Sequence, residues 1–189
     1  ASPTLAQTVV GRAVVEGRTV TLFDDNSWTF DTEAVADTSC QQVDPNVLFC
    51  DAGAWRPLPK QQEFDALYSW EGEYYGGLII EKFGRDQGLN IDLRRTAAIT
   101  NAAGATGTTP EMIPVIDTFE ESTEALEFEG IVYTATISGT PFIFANAMFV
   151  KDTFSGQAMV WTFGTEFTDA HRDMVSEFIN RVALKETPQ

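Results

Sequence analysis

The stretch that decides the fold is Leu126–Leu184, LEFEGIVYTATISGTPFIFANAMFVKDTFSGQAMVWTFGTEFTDAHRDMVSEFINRVAL. Its first part predicts three strands, because apolar residues either alternate with polar ones or fill a run that is covered on both faces. The predicted strands are 126–138, 142–152 and 158–163. Turn residues separate them, first at 139–141 and then at 154–157. Strands joined by such short turns pair antiparallel, so we predict a meander.

The end of the same stretch predicts an amphipathic helix. Thr168 is a favourable N-cap, and Asp169 places a negative charge at the positive end of the helix dipole. The apolar residues that follow recur on a 3.6-residue period and form one stripe: Met174, Val175, Phe178, Ile179 and Val182. A helix of this length is marginal alone, so we expect its stripe to lie on the sheet.

The composition restricts the class of partner. The 189 residues predict one domain of ordinary size, with or without a small appendage, and 14 Phe and 4 Trp supply a core. The chain has 12 basic and 28 acidic residues, and its net charge of −16 repels nucleic-acid backbones and anionic membranes. No apolar run approaches the ~20 residues of a membrane-spanning helix. We therefore expect a protein or a small-molecule ligand as partner, while the oligomeric state is not indicated.

The N-terminus and the cysteines indicate the compartment. The first six residues, ASPTLA, resemble the end of a secretory signal peptide cleaved after Ala6, although an ordinary terminus would also fit. Cys40 and Cys50 lie in a stretch rich in Asp, Asn, Gln and Pro, and we predict that they form a disulfide; the alternative is two free thiols. Such a bond would stabilise the fold by roughly 3 kcal/mol in the chain-entropy model. We expect a periplasmic or secreted bacterial protein.

Residues 7–60 are interpreted as a small β unit followed by a disulfide-pinned connector. Three short strands are expected between Thr8 and Phe30, and an irregular segment at 31–60. The pattern R-x-V-x-L-x-D-D-N-x-W-x-F at Arg18–Phe30 resembles short β modules near the N-termini of bacterial envelope proteins. Its acidic turn, Asp24–Asn26, lacks the further oxygen ligands of an EF-type calcium loop, so we expect a turn and no metal.

Residues 61–189 are predicted to form the main domain. We expect four elements before the meander: a strand at Leu78–Phe83, a helix at Gly88–Gly104, a loop at Ala103–Thr109 and a short helix or edge segment at Pro110–Phe119. The apolar stripe of that helix is assigned to Leu89, Leu93, Ala97 and Thr100. The pair Arg94-Arg95 is interpreted as a solvated face, with an anion site as the alternative. A solvated acidic edge, rather than a cation site, is expected at Asp117, Glu120, Glu121, Glu124, Glu127 and Glu129.

The order of these elements resembles that of a known fold family. From Phe64 to Leu184 the chain reads strand, helix, loop, meander and closing helix, and FGTEFTDAHRDMVSEFI at Phe163–Ile179 looks like a last strand that leads into that helix. This resembles the PsbP-like α/β/α sandwich of extrinsic photosystem proteins and DcrB-type bacterial envelope proteins. The resemblance implies an α+β fold, an antiparallel sheet with helices packed on it, and a binding or assembly role without a common catalytic centre. The first 60 residues depart from that family.

The sequence does not assemble a catalytic set. There is no G-x-S-x-G elbow, and His171, the single histidine, is expected at a rim position on the first turn of the last helix, with general base as the alternative. The GATG stretch lacks the lysine of a P-loop, so no cofactor is expected.

The leading hypothesis is a non-catalytic exported module that binds a protein or small ligand. Its candidate ligand-binding residues are Trp70, Tyr74 and Tyr75, aromatic residues next to glycines; the alternative is that they fill a hairpin. Two other functions stay open. One is a secreted hydrolase that uses two carboxylates, since such acids need only meet in space. The other is a structural component of the cell envelope.

Overall fold

The structure, a computed structural model, describes residues 9–15, 18–24, 27–30, 40–61 and 63–185. It divides the chain into two compact units, Ala1–Ser39 and Cys40–Gln189. The first unit contains a three-stranded antiparallel sheet in the order β1-β2-β3, built from β1 Val9–Val15, β2 Arg18–Phe23 and β3 Trp28–Phe30. These strands lie where the sequence predicts them. The predicted signal-peptide remnant, Asp25-Asn26 of the predicted turn and residues 31–39 lie outside the described residues.

The second unit contains two antiparallel sheets and two helices. Its strands are β4 Cys40–Asp44, β5 Val47–Cys50, β6 Arg56–Pro57, β7 Ala66–Trp70, β8 Tyr74–Glu81, β9 Val115–Ser122, β10 Glu127–Ile137, β11 Thr140–Val150, β12 Ser155–Phe163 and β13 Val182–Leu184. Its helices are α1 Ile91–Thr106 and α2 Asp169–Ile179, with short 3₁₀ helices at Arg85–Gln87 and Pro110–Met112. Neither α1 nor α2, the α-helices of the described part, is long and apolar enough to cross a membrane.

The large sheet has seven strands in the order β6-β7-β8-β12-β11-β10-β9, and the small sheet has the order β13-β5-β4. The predicted meander is confirmed, because β10, β11 and β12 follow one another and pair antiparallel. The alternation predicted for its third strand is also observed. Ala158 and Val160 belong to the larger core, whereas Met159 and Trp161 point to the opposite face.

The larger core lies between the seven-stranded sheet and α2. Thr168 caps this helix as predicted, since its side chain accepts a hydrogen bond from the His171 backbone N–H. Phe178 is fully buried there and Ile179 nearly so. The predicted stripe has one error, because α2 ends at Ile179 and Val182 reaches the core from β13. The prediction extended the helix one turn too far. A strand residue two or three positions beyond a helix can point to the same core, so its apolar side chain fits the helical period.

A smaller core lies on the opposite face of the sheet, beneath α1. It contains Ala98 and Ala103 from the helix and Ile131, Tyr133 and Met148 from β10 and β11. The second unit therefore has helices on both faces of an antiparallel sheet, and the predicted α/β/α architecture is confirmed.

The predicted irregular connector is wrong for residues 40–50. These residues form the hairpin β4–β5, and β13 pairs with β5 as a third strand. Val47 and Phe49 point into the larger core, which local patterning could not show because their partner strand lies at the other end of the chain. The structure divides the chain after Ser39, whereas the sequence predicts a domain boundary after Lys60.

The apolar stripe predicted for α1 is wrong for three of its four residues, while Leu89 is buried but precedes the helix. Leu93 is 52% exposed, and Ala97 and Thr100 are exposed as well. The buried face instead carries Arg94, Ala98 and Ala103. A stripe chosen by hydrophobicity excludes an arginine, but Arg94 is buried with its charge paired to Glu81.

Helix α1 also continues through part of the predicted loop at 103–109. It ends at Thr106, and Gly107 follows it in the left-handed conformation, with a φ of 67°. A glycine is favoured at this position because other residues adopt a positive φ only at an energetic penalty.

Candidate functional site

A groove of about 760 Å³ lies between α1 and the seven-stranded sheet. The helix contributes small side chains to its wall, among them Ala98, Ala102 and Ala105. Because these side chains are short, the space between helix and sheet is not filled by protein. The volume falls within the range of about 300–1,000 Å³ that is typical of ligand pockets.

The sheet side of the groove is formed by an aromatic row, Tyr133, Phe144 and Trp161. The three residues are cross-strand neighbours on β10, β11 and β12, so the register places them on one face. The ring centroids of Tyr133 and Phe144 are 5.2 Å apart at an interplanar angle of 12°, and those of Phe144 and Trp161 are 6.1 Å apart at 27°. The row thus presents parallel rings to the groove.

Phe64 extends this aromatic wall from the segment before β7. Its ring stacks on Trp161 at a centroid distance of 5.6 Å. Gly77 makes room for it, because a Cβ on that residue would lie 2.4 Å from the Phe64 ring and 3.3 Å from Trp161. The missing side chain of Gly77 is therefore what allows the Phe64 ring to approach the sheet closely.

The floor of the groove carries a buried polar pair. Asn146 is 1% exposed and Gln157 is 6% exposed. The Asn146 Nδ2 amide donates a hydrogen bond of 2.8 Å to Gln157 Oε1, and Asn146 Oδ1 is buried without a hydrogen-bond partner. An unpaired buried acceptor costs about 1–3 kcal/mol, so a donor delivered to this atom would stabilise the site.

Tyr133 adds a hydroxyl group next to this pair. Its O–H points to Met159 Sδ at 3.6 Å. Burial raises the pKa of Tyr133 to about 12, while the neighbouring Asn146 amide acts in the opposite direction. The hydroxyl is therefore protonated at physiological pH and leaves the floor uncharged.

The charged residues that line the groove are two glutamates, Glu63 and Glu81, and both are exposed. Glu81 pairs with Arg94, whose side chain is 4% exposed and lies outside the groove lining. Burial lowers the pKa of the Arg94 guanidinium from its ordinary value. The predicted solvated face is thus wrong for Arg94.

The three predicted ligand-binding residues do not share one face of the sheet: Trp70 and Tyr74 lie on the α2 face and Tyr75 on the other. Trp70 is half-buried and packs edge-on against Trp55, with ring centroids 5.5 Å apart. Tyr74 is its cross-strand neighbour and lies 5.6 Å from the ring of His171, on the α2 face. Tyr75 points to the other face, where it stacks on Trp161 at 5.8 Å. Their binding role stays a prediction, and Tyr75 is the member next to the groove.

His171 is fully buried, so the predicted rim position is wrong. Its Nε2 lies 3.1 Å from the Val160 carbonyl oxygen, to which it donates in the tautomer that carries a proton there. The ring also contacts Tyr74 and Phe167. Burial lowers its pKa, so the imidazole is neutral at physiological pH. It packs on the α2 face of the sheet, opposite the groove.

Part of the predicted acidic edge forms contacts with the helices. Asp117 Oδ2 accepts a 3.0 Å hydrogen bond from Arg172, which holds the Asp117 pKa below its usual value. Glu129 pairs with Arg95 at 2.6 Å, and Glu121 accepts from the Ser176 hydroxyl. Within the described residues, no group of three or more His, Cys, Asp or Glu side chains could hold a metal ion.

The residues of the groove were missed by sequence reasoning. The aromatic row becomes visible only when the register of β10, β11 and β12 is known. A signal for the polar pair was present, since Asn146 interrupts an apolar strand and Gln157 is the third residue of the next one. Two amide side chains in neighbouring buried strands indicate a polar contact.

No protein-family model and no curated protein sequence matches the chain. Among solved structures, the chain is similar to cyanobacterial PsbP (CyanoP) from Synechocystis sp. PCC 6803, with 10% identity and a TM-score of 0.52 over 80% of this chain and 96% of that one. It is also similar to LpqN, involved in cell envelope biogenesis of Mycobacterium tuberculosis, with 11% identity and a TM-score of 0.46 over 78% of this chain and 90% of that one. The first similarity confirms a PsbP-like fold.

Proposed function

We propose that the chain is a non-catalytic exported module that binds a small, largely apolar ligand in the groove between α1 and the sheet. The observation that carries the proposal is the groove itself, a 760 Å³ space with an aromatic wall and a buried amide pair at its floor. Ligand sites combine these features: predominantly apolar lining with a few placed polar groups.

The aromatic wall indicates how such a ligand would gain affinity. Phe64, Phe144 and Trp161 are only half-buried. A ligand that covers them removes apolar surface from water, which contributes about 25 cal/mol for each Å². The parallel arrangement of the rings favours a flat or extended apolar body.

A variant that fills the groove tests the proposal, with pyrene as the probe. Ala102 lines the groove and Ala97 is exposed on the same helix, so Ala102→Trp and Ala97→Trp form a matched pair. We expect saturable binding of pyrene to the wild type and to Ala97→Trp, measured by its fluorescence. We expect binding to Ala102→Trp to be weaker by about tenfold or more, since bulk at that position occupies the apolar space.

Circular dichroism melts of both variants control for folding. Equal affinity of all three proteins would show that pyrene binds elsewhere, and no saturable binding to the wild type would reject the groove as an apolar ligand site.

The disulfide supports the exported part of the proposal. Cys40 and Cys50 are bonded in the structure, as the sequence predicts. Structural disulfides persist in oxidising compartments and are rare in the cytosol. Thiol blocking in intact source cells, followed by fractionation, tests this location: recovery from the cytoplasm with both thiols free would contradict it.

A carboxylate-dependent hydrolase is the second candidate. The observation in its favour is that Glu63 and Glu81 line the same groove. The ion pair between Glu81 and Arg94 weighs against it, because it occupies one of the two acids. Release of nitrophenol from aryl glycosides, lost in Glu63→Gln, would support this candidate over the binding module.

A further inference from the structure

We infer that the groove selects an uncharged ligand that carries a hydrogen-bond donor, such as a hydroxyl group, at the end that reaches Asn146. This inference rests on the proposed function and adds the chemical class of the ligand. Two independent observations carry it, the unpaired acceptor at the floor and the charges around the groove.

The polar floor has one buried acceptor without a hydrogen-bond partner among the described residues, Asn146 Oδ1. The Asn146 Nδ2 group donates its hydrogen bond to Gln157 Oε1. The Tyr133 hydroxyl donates to Met159 Sδ, and it also contacts the Asn146 amide, which acts to lower the Tyr133 pKa. The Oδ1 atom, in a residue 1% exposed, has no partner among the described residues. A ligand hydroxyl would pair it, whereas a purely apolar ligand would leave it unpaired.

The charges disfavour an anion. None of the described residues that line the groove is basic. Of its two carboxylates, Glu81 pairs with Arg94, so the local negative charge comes mainly from Glu63. The whole chain carries a net charge of −16. An anionic head group would therefore be repelled at the groove and would find no counter-charge within it.

A cation is disfavoured at the floor for a different reason. Both carboxylates are exposed, while the floor consists of amide, phenol and thioether groups around Asn146, Gln157, Tyr133 and Met159. An ion moved out of water to such a position loses several kcal/mol of hydration without a paired charge to offset it. An uncharged donor avoids both penalties.

Three pyrenes that differ only in their head group test this selectivity on the wild-type protein. They are methylpyrene, without a polar head; pyrenemethanol, with a donor; and pyrenecarboxylate, with an anion. At neutral pH and low ionic strength we expect pyrenecarboxylate to bind about tenfold more weakly than pyrenemethanol. Equal or tighter binding of the carboxylate would overturn the inference.

A double variant tests the role of the amide pair. In Asn146→Leu/Gln157→Met both partners are replaced together, so that neither is left unpaired. The quantity measured is the Kd of methylpyrene divided by the Kd of pyrenemethanol. We expect this ratio to fall about fivefold from the wild type to the double variant, the effect of one neutral hydrogen bond. An unchanged ratio would overturn the assignment of the donor to Asn146.

A charge-removing variant tests whether the carboxylate at the groove repels an anionic ligand. Glu63→Gln removes a carboxylate at the groove, and Glu124→Gln removes an exposed carboxylate outside the groove lining. We expect pyrenecarboxylate to bind Glu63→Gln about twofold more tightly at low salt, and this gain to disappear at high salt. An equal gain in Glu124→Gln would show that only the net charge matters and would overturn the local argument.

The outcomes separate the two proposals. If none of the three pyrenes binds, the proposed function fails. If they bind and the carboxylate is preferred, the ligand site stands and the selectivity for an uncharged donor is wrong. The head-group comparison needs no variant, so a double variant that fails to fold leaves it decisive.

Discussion

His171 shows how two aspects of a residue's position can give opposite indications at the scale of one side chain. Its place on the first turn of α2 predicts a rim position, yet it lies on the same helical stripe as Val175 and Phe178, and all three are buried. The period was therefore the better guide. Arg94 is the parallel case on α1: its position is buried, and its charge is offset by pairing with Glu81.

The buried imidazole predicts a pH dependence of stability. Because burial lowers the pKa of His171 below its ordinary value of 6.5, the unfolded chain binds a proton more readily than the folded one. The contribution of the neutral ring is present above about pH 6.5 and is lost as the pH falls toward the folded-state pKa. In urea titrations between about pH 8 and about pH 5, we expect the unfolding free energy to decrease by at most about 1.4 kcal/mol per pH unit from this group.

The variant His171→Phe is the control for that prediction. It lacks the titrating group. The slope of its unfolding free energy against pH over the same interval should therefore be smaller, by up to about 1.4 kcal/mol per pH unit, the effect of one proton. Identical slopes for the two proteins would show that His171 does not titrate differently in the folded and unfolded chains.

At the scale of elements, local periodicity predicted the pieces that pair with their chain neighbours. The strands of the meander and the N-cap of α2 were placed correctly because turn and cap residues lie beside them. The hairpin β4–β5 was missed, since its third strand, β13, lies more than 130 positions further along the chain. The aromatic row of the groove was missed for a related reason, because it depends on register across three strands.

The hairpin β4–β5 also carries the disulfide, and its reduction is the prediction at this scale. Cys40 and Cys50 occupy paired positions on the two strands. Breaking the bond should lower the stability by at most about 3 kcal/mol, and the melting temperature by about 6–12 °C for a unit of this size. The seven-stranded sheet has its own strand pairing, so the residues from Phe64 to Leu184 should stay folded after reduction at room temperature.

Thermal melts with and without a reductant measure this effect. The variant Cys40→Ser/Cys50→Ser should melt at the reduced temperature and should not respond to the reductant. Two free thiols in a titration of the native protein would contradict the bond itself.

At the scale of the whole molecule, the question is whether residues 40–60 belong to the unit that contains the larger core. Phe49 stacks on Tyr68 with ring centroids 4.2 Å apart, and Trp55 lies 4.7 Å from the ring of Phe178. The Trp55 indole N–H donates a 2.7 Å hydrogen bond to Glu177. Residues 40–60 therefore contribute core side chains to the second unit.

Two truncations turn this argument into a measurement. A chain of residues 40–189 keeps Phe49 and Trp55, whereas a chain of residues 61–189, which starts at the boundary predicted from sequence, loses both. Because each large aromatic removed from a core costs about 3–5 kcal/mol, we expect the longer fragment to unfold cooperatively in urea and the shorter one to be marginal or unfolded. Pyrene binding should follow the same order, since the groove requires the folded sheet. If both fragments unfold at the same urea concentration, the hairpin β4–β5 and Trp55 are appendages of the core and the boundary after Lys60 is the correct one.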